Sequence, residues 1–233
     1  MRRAGGSATS FASRAGELRG AARAAAAHDH PDDSGQQEDR GEKRECEQRQ
    51  RAVEDRAALH RHLHVDGRAP VDQTLRGGTQ TEGNLLARRE PEIARLRAVL
   101  NDAVAHYIAQ LPPPDPAHPL LRRPREGFGF AGSWSVRLQG AGFHVNHVHT
   151  TGWISSACYL AVPDSLGDGP GDTAGWLAFG APPAELGLRV EPFHRIAPRP
   201  GRLVLFPSTV WHGTEPFAAG ERLTVAFDVI SKS

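Results

Sequence analysis

The stretch GFHVNHVHTTGW, residues 142–153, puts His144, His147 and His149 within six positions. Strand side chains alternate faces, so His147 and His149 share one face. His144 has the other parity and points away on a regular strand, unless a bulge resets it. Two imidazoles on one face are good ligand geometry for iron, zinc or copper. An open metal site wants a third ligand, and the best candidate is His212, at the end of the apolar run in GRLVLFPSTVWHGTEPF. A ligand at a strand end suits a site in the mouth of a barrel. Ten residues on, ERLTVAFDV sets Arg222 and Thr224 on one face, opposite Leu223, Val225 and Phe227. A guanidinium on an apolar central strand is costly unless it meets an anion, and its planar fork suits a carboxylate. Metal plus anionic small ligand is the chemistry these types and spacings support. His62, His64, His106 and His118 stand without such company, and the second HxH, His28 and His30, lies in a polar tail. His194, in an expected strand, is a weak outsider to the cluster.

The elements around these residues are mostly β. After residue 130, short runs rich in β-branched and aromatic residues alternate with Gly/Pro turns: SWSVRL, FHVNHVH, WISSACYLAV, GWLAF, RVEPFHRI, RLVLFPS and RLTVAFDVI. About seven strands with no helical pattern between them predict a sandwich or jelly roll. The last is apolar and free of proline, which suits a central strand. Before them, PEIARLRAVLNDAVAHYIAQL carries apolar residues at spacings of three and four and predicts a helix over 91–111. Pro91 suits its first turn and Pro112–Pro114 stop it. VDQTLRGGTQTEGNLL, from Val71, reads as loop or irregular strand.

Of the fifteen aromatic residues only Phe11 precedes Tyr107, so the core lies in the second half. Residues 1–27 are rich in Ala, Gly, Arg and Ser, and 28–56 are charged and poor in apolar residues. The expectation is a disordered or poorly ordered tail over 1–68, with at most a frayed helix near 43–62, or an extension that arises from a misplaced start. The ordered domain is expected over 69–233. Net charge is +1 with a pI near 8.0, which gives no pull toward nucleic acid or an acidic membrane. No run approaches the ~18 apolar residues of a membrane span. Cys46 and Cys158 are far apart and form no CxxC pair, so a reducing, cytoplasmic setting is expected.

GSWSVRL, GFHVNHVHTTGWISSACYL, PRPGRLVLFPSTVWHGTEPF and ERLTVAFDV, with DQTLRGGTQT and HPLL upstream, resemble a bacterial family of Fe(II)/2-oxoglutarate-dependent oxygenases. The resemblance covers about residues 70–233. It implies a double-stranded β-helix, that is, a jelly roll, with one or more flanking N-terminal helices. It implies Fe(II), 2-oxoglutarate and O2 as cofactors, and a dioxygenase that hydroxylates its substrate and releases succinate and CO2. In that superfamily the metal is held by His-x-Asp/Glu and a distal His. Carried over by position, His147 and His212 are ligands and His149 stands in the carboxylate position. The bacterial family also carries His there, so three histidines are the implied set. Completion by a loop carboxylate (Asp164, Asp168 or Asp172) or by His144 stays open. Thr150 stands where the family usually has Pro. Arg222 and Thr224 match the pair that holds the distal carboxylate of 2-oxoglutarate, and Tyr159 adds a hydrogen bond. Asn146 and Ser208 are placed to orient ligands, and Trp153 and Trp211 either wall the substrate pocket or pack in the core.

Two other readings share the histidines. A cupin-like three-histidine metalloenzyme needs no 2-oxoglutarate, but its pattern wants a Glu shortly after HxH, where this chain has Thr150–Ile154, and it gives Arg222 no task. A non-catalytic jelly-roll binding module explains neither the intact histidines nor Arg222. The partners expected are an unidentified substrate (a small molecule or a peptide side chain) and a second copy in a homodimer, with no nucleic acid and no membrane.

Overall fold

The structure is a computed structural model that describes residues 60–64, 74–164, 166–167 and 171–232. The expected tail and its frayed helix, apart from 60–64, lie outside the described residues, as do the HxH at His28 and His30, Cys46 and Asp168.

Among the described residues, eight antiparallel strands form two sheets. The larger contains β1 (Leu75–Gln80), β2 (Gly127–His144), β8 (Glu221–Lys232), β3 (Ile154–Ala161) and β6 (Leu203–Pro207), side by side in that order. The smaller contains β5 (His194–Ile196), β4 (Leu177–Phe179) and β7 (His212–Thr214). This is a jelly roll. The last strand is central, between β2 and β3, as its apolar, proline-free sequence requires.

Alternation along the strands places cores on both faces of the large sheet, and Leu75, Val136, Leu138 and Phe217 form a smaller cluster. Leu223, Val225, Phe227 and Val229 of β8 and Ile154, Cys158 and Leu160 of β3 face outward from the roll. They are covered by α1 (Pro91–Ala109), whose Ile93, Leu96, Leu100, Val104 and Ile108 are buried. Val99, expected on that face, is 51% exposed, because a 93/96/100/104/108 stripe turns it to solvent. Each buried side chain of this size contributes about 2 kcal/mol by leaving water. Between the sheets, Ala157, Tyr159, Leu177, Phe179, Val204 and Phe206 form the second core.

The expected strand FHVNHVH stops at His144. Residues 145–149 change partner every two residues, so no ladder forms. Val145 N–H donates to Thr74, His147 N–H to His212 and His149 N–H to Ser208, each at 2.9 Å. The segment is a crossover from the large sheet to the small one. RVEPFHRI is likewise strand only over His194–Ile196, and its Val190 and Phe193 are exposed.

Residues 60–64 form a short turn on the outer face of the large sheet. His60 Nδ1 lies 2.8 Å from Ser135 Oγ, and His64 reaches Ser135 Oγ at 3.0 Å and Thr79 Oγ1 at 2.8 Å. Arg61 and Arg137 both donate to Glu221, the first residue of β8. His62 is exposed.

Candidate metal centre

The crossover delivers His147 and His149 to the space between the sheets, and β7 delivers His212. His147 and His212 exchange backbone hydrogen bonds in an isolated bridge, 2.9 and 3.0 Å. One ring nitrogen of each of the three lies within 4.8 Å of the others, and no further group of this kind gathers among the described residues. The bridge needs Gly213, since a Cβ there would meet Asn146 Oδ1 at 2.2 Å.

Hydrogen bonding fixes which nitrogens converge. His147 Nδ1 lies 2.7 Å from the Val145 carbonyl and His212 Nδ1 3.0 Å from the Val210 carbonyl. His149 Nδ1 lies 2.6 Å from both carboxylate oxygens of Asp228. Carbonyls and carboxylates only accept, so each Nδ1 carries the proton. Each Nε2 then presents a bare lone pair. His147 Nε2 and His149 Nε2 are 3.0 Å apart. Three converging imidazoles with every outer nitrogen anchored are a metal-binding donor set.

Burial favours the neutral form of His147 and His212. It pushes His212 down to about 3, with help from His147, and it lowers His147. His144 falls well below the usual histidine range, through burial first and then the nearby Arg222 guanidinium. Its ring lies 6.1 Å from that of His147 and lines the same pocket without joining the ligand group. Its parity is reset where Gln139–Gly142 bulge out opposite Gly77, with Ala141 at φ 64°.

The pocket encloses about 310 Å³, and Arg222 and Thr224 line it with the histidines. Arg222 is 2% exposed and pairs with no carboxylate among the described residues. It donates to Thr214 Oγ1 at 3.0 Å and toward Tyr159 Oη at 3.4 Å, and its guanidinium sits 5.0 Å from the Tyr159 ring centre. Its Nε and the Thr224 hydroxyl, both buried, have no partner. A buried cation with an orphaned N–H beside an orphaned hydroxyl is a cradle for an anion.

The other expected site residues take different places. Ser208 is buried and reaches His149 through Ser155 and Asp228, with Oγ–Oγ 2.8 Å and Ser155 Oγ to Asp228 Oδ1 2.7 Å. Asn146 packs beneath Gly213 and donates to Pro182 O. Trp153 does not wall the pocket: it is packed in the outer core and its indole N–H donates to Leu120 O at 2.8 Å. Trp211 does not line it either, whereas Trp134 does, edge-on to His149. Asp172 accepts from Ala174 N–H and stands outside the histidine group, as does Asp164. His194 stacks on Phe179 and also stays outside it. Asp228, Thr214 and Trp134 were not singled out from the sequence. Asp228 had a signal, since it shares the parity of Arg222 and Thr224 on β8.

Residues 132–228 match the model of the family described as "Putative 2OG-Fe(II) oxygenase". No curated protein matches the sequence. Among solved structures, a Pseudomonas putida prolyl-4-hydroxylase superposes with a TM-score of 0.51 at 20% identity, covering 79% of this chain and 88% of that one. HygX from Streptomyces hygroscopicus, solved with nickel and 2-oxoglutarate bound, superposes with a TM-score of 0.52 at 14% identity, over 78% and 79% of the two chains. At these identities the superpositions speak for the fold, and the family match speaks for the residues between Gly132 and Asp228. The stretch that resembles the 2OG-Fe(II) oxygenase family model is the one that carries all three histidines and Arg222.

Proposed function

We propose that His147, His149 and His212 hold Fe(II), that Arg222 and Thr224 hold 2-oxoglutarate, and that the enzyme hydroxylates an organic substrate with release of succinate and CO2. One observation carries this reading: the orphaned Arg222 Nε and Thr224 Oγ1 line the same pocket as three converging Nε2 lone pairs. A dicarboxylate that chelates a metal at one end and needs a cation at the other fits both. Iron, when bound, supplies the oxygen chemistry. The chain's own residues bind and orient. Three ligands leave positions for a chelating oxo acid and for O2. Arg222, fixed by Thr214 and by the Tyr159 ring, sets the direction in which the cosubstrate lies. His144, neutral and lining the pocket, offers a hydrogen bond to whatever is bound there. Leu177, Phe206 and Val136 keep the walls apolar and limit water. The substrate is a small molecule or a peptide side chain. No helix among the described residues is long and apolar enough to cross a membrane. A reducing cytoplasm suits a ferrous centre.

The test is anaerobic Fe(II) reconstitution of the full chain, followed by 2-oxoglutarate while recording the visible spectrum. The expected result is a charge-transfer band of a chelated iron complex, weakened or lost in Arg222→Ala. Iron binding with no band would overturn the cosubstrate assignment and favour the cupin-like reading.

A further inference from the structure

The three-histidine set carries no negative charge, and a buried carboxylate stands directly behind it. Asp228 is 8% exposed, at the centre of β8. Both its oxygens lie 2.6 Å from His149 Nδ1. Oδ1 also accepts from Ser155 Oγ at 2.7 Å, and Ser155 Oγ lies 2.8 Å from the buried Ser208 Oγ. No arginine or lysine among the described residues pairs with this carboxylate. The space around the relay is tight: a Cβ on Gly152 would meet Ser208 Oγ at 2.4 Å and Asp228 Cγ at 3.7 Å. The backbone of the loop beyond His149 is thus shaped to the relay. Burying a carboxylate is expensive, and its partners here are one imidazole N–H and one hydroxyl. A dication on the far nitrogen of the same ring would complete the compensation.

Resting on the metal-centre reading above, we propose that Asp228 is a positioning residue that supplies, through His149, the anionic charge that a carboxylate ligand would bring. It fixes the Nδ1–H tautomer, aims Nε2 at the metal and makes His149 the most strongly donating of the three ligands. The other two are anchored by neutral carbonyls and lack this charge. Ser155 and Ser208 hold the carboxylate in plane.

Asp228→Asn keeps the shape and an oxygen to accept from Nδ1, and removes only the charge. The experiment titrates Fe(II) into the full chain anaerobically and records the charge-transfer band with 2-oxoglutarate, for wild type, Asp228→Asn, Ser155→Ala and His147→Ala. The expected result for Asp228→Asn is Fe(II) affinity 10–100-fold weaker and a band moved to shorter wavelength, because a less electron-rich iron gives up its electron less readily. A merely structural role would leave the band energy in place. Ser155→Ala, which keeps the charge and loosens its hold, is expected to weaken affinity less and to leave the band nearly unmoved. If Asp228→Asn does not fold, a band in Ser155→Ala shifted as far as loss of the charge would shift it overturns the charge assignment. If Asp228→Asn binds iron as wild type does with an unmoved band, while His147→Ala loses iron, the proposal fails and the metal centre stands. If His147→Ala keeps stoichiometric iron, the metal-centre reading itself fails.

Discussion

At the scale of single residues, the three rings are equal in ligand atom and unequal in support. Replacing His147, His149 or His212 with Ala is expected to abolish stoichiometric iron, read by metal analysis after desalting. Arg222→Ala is expected to retain iron and lose ~2–5 kcal/mol of 2-oxoglutarate binding, read by titration of the charge-transfer band. The spacing of these residues made them legible in the sequence, because HxH, a strand-end His and an Arg-x-Thr pair are rare together. Asp228 was harder to see, since a lone Asp after an apolar run looks like a strand-end turn residue. Its role appears only when β8 is paired between β2 and β3, so that its even face becomes the pocket floor. Trp134 hid for the same reason, one position away from serines that face outward. The sequence left Trp153 open between pocket wall and core. The chain turns at Gly152, and the indole points to the other core.

At the scale of elements, α1 was legible to within two residues, because its stripe and its prolines are local signals. Leu100→Ala is expected to cost ~2–5 kcal/mol of unfolding free energy while iron affinity stays within two-fold, since the helix lies across β8 from the pocket; urea unfolding and metal titration check the two halves. The crossover at 145–149 was not legible as such. Its composition is that of a strand, and only the positions of β1, β7 and Ser208 deny it a single partner. The turn at 60–64 was obscured by the polar sequence before it, which argues for disorder by average composition. The signal was two histidines one helical turn apart. Burial pushes both His60 and His64 down to about 4, with like charges nearby adding to it. In the unfolded chain they titrate near 6.5. Between those values the unfolded chain binds more protons, so stability is full above about pH 6.5 and falls as pH drops toward 4, by about 1.4 kcal/mol per unit of pKa difference for each. The metal-free protein is expected to show this as a falling urea midpoint, and His60→Phe with His64→Phe is expected to flatten the slope.

At the scale of the whole molecule, that turn ties a segment outside the roll to three of its strands, through Thr79 of β1, Ser135 of β2 and Glu221 of β8. A chain that begins at residue 65 leaves the buried Ser135 hydroxyl and the half-buried Thr79 hydroxyl without these partners, and is expected to melt at a lower temperature than one that begins near residue 55, by calorimetry. The centre itself has a mechanical consequence. His149 is anchored to β8 in the large sheet and His212 opens β7 in the small one. One bound ion therefore joins two layers that, among the described residues, also meet through side-chain packing, the Arg222–Thr214 hydrogen bond and the His147–His212 backbone bridge, and it closes the chain from 147 to 212 into a loop. It acts as a removable cross-link, with the entropic benefit of one. Loading should slow amide exchange in β4, β5 and β7 far more than in β2 or β8, so that supply of the ion governs how firmly half of the roll is shut.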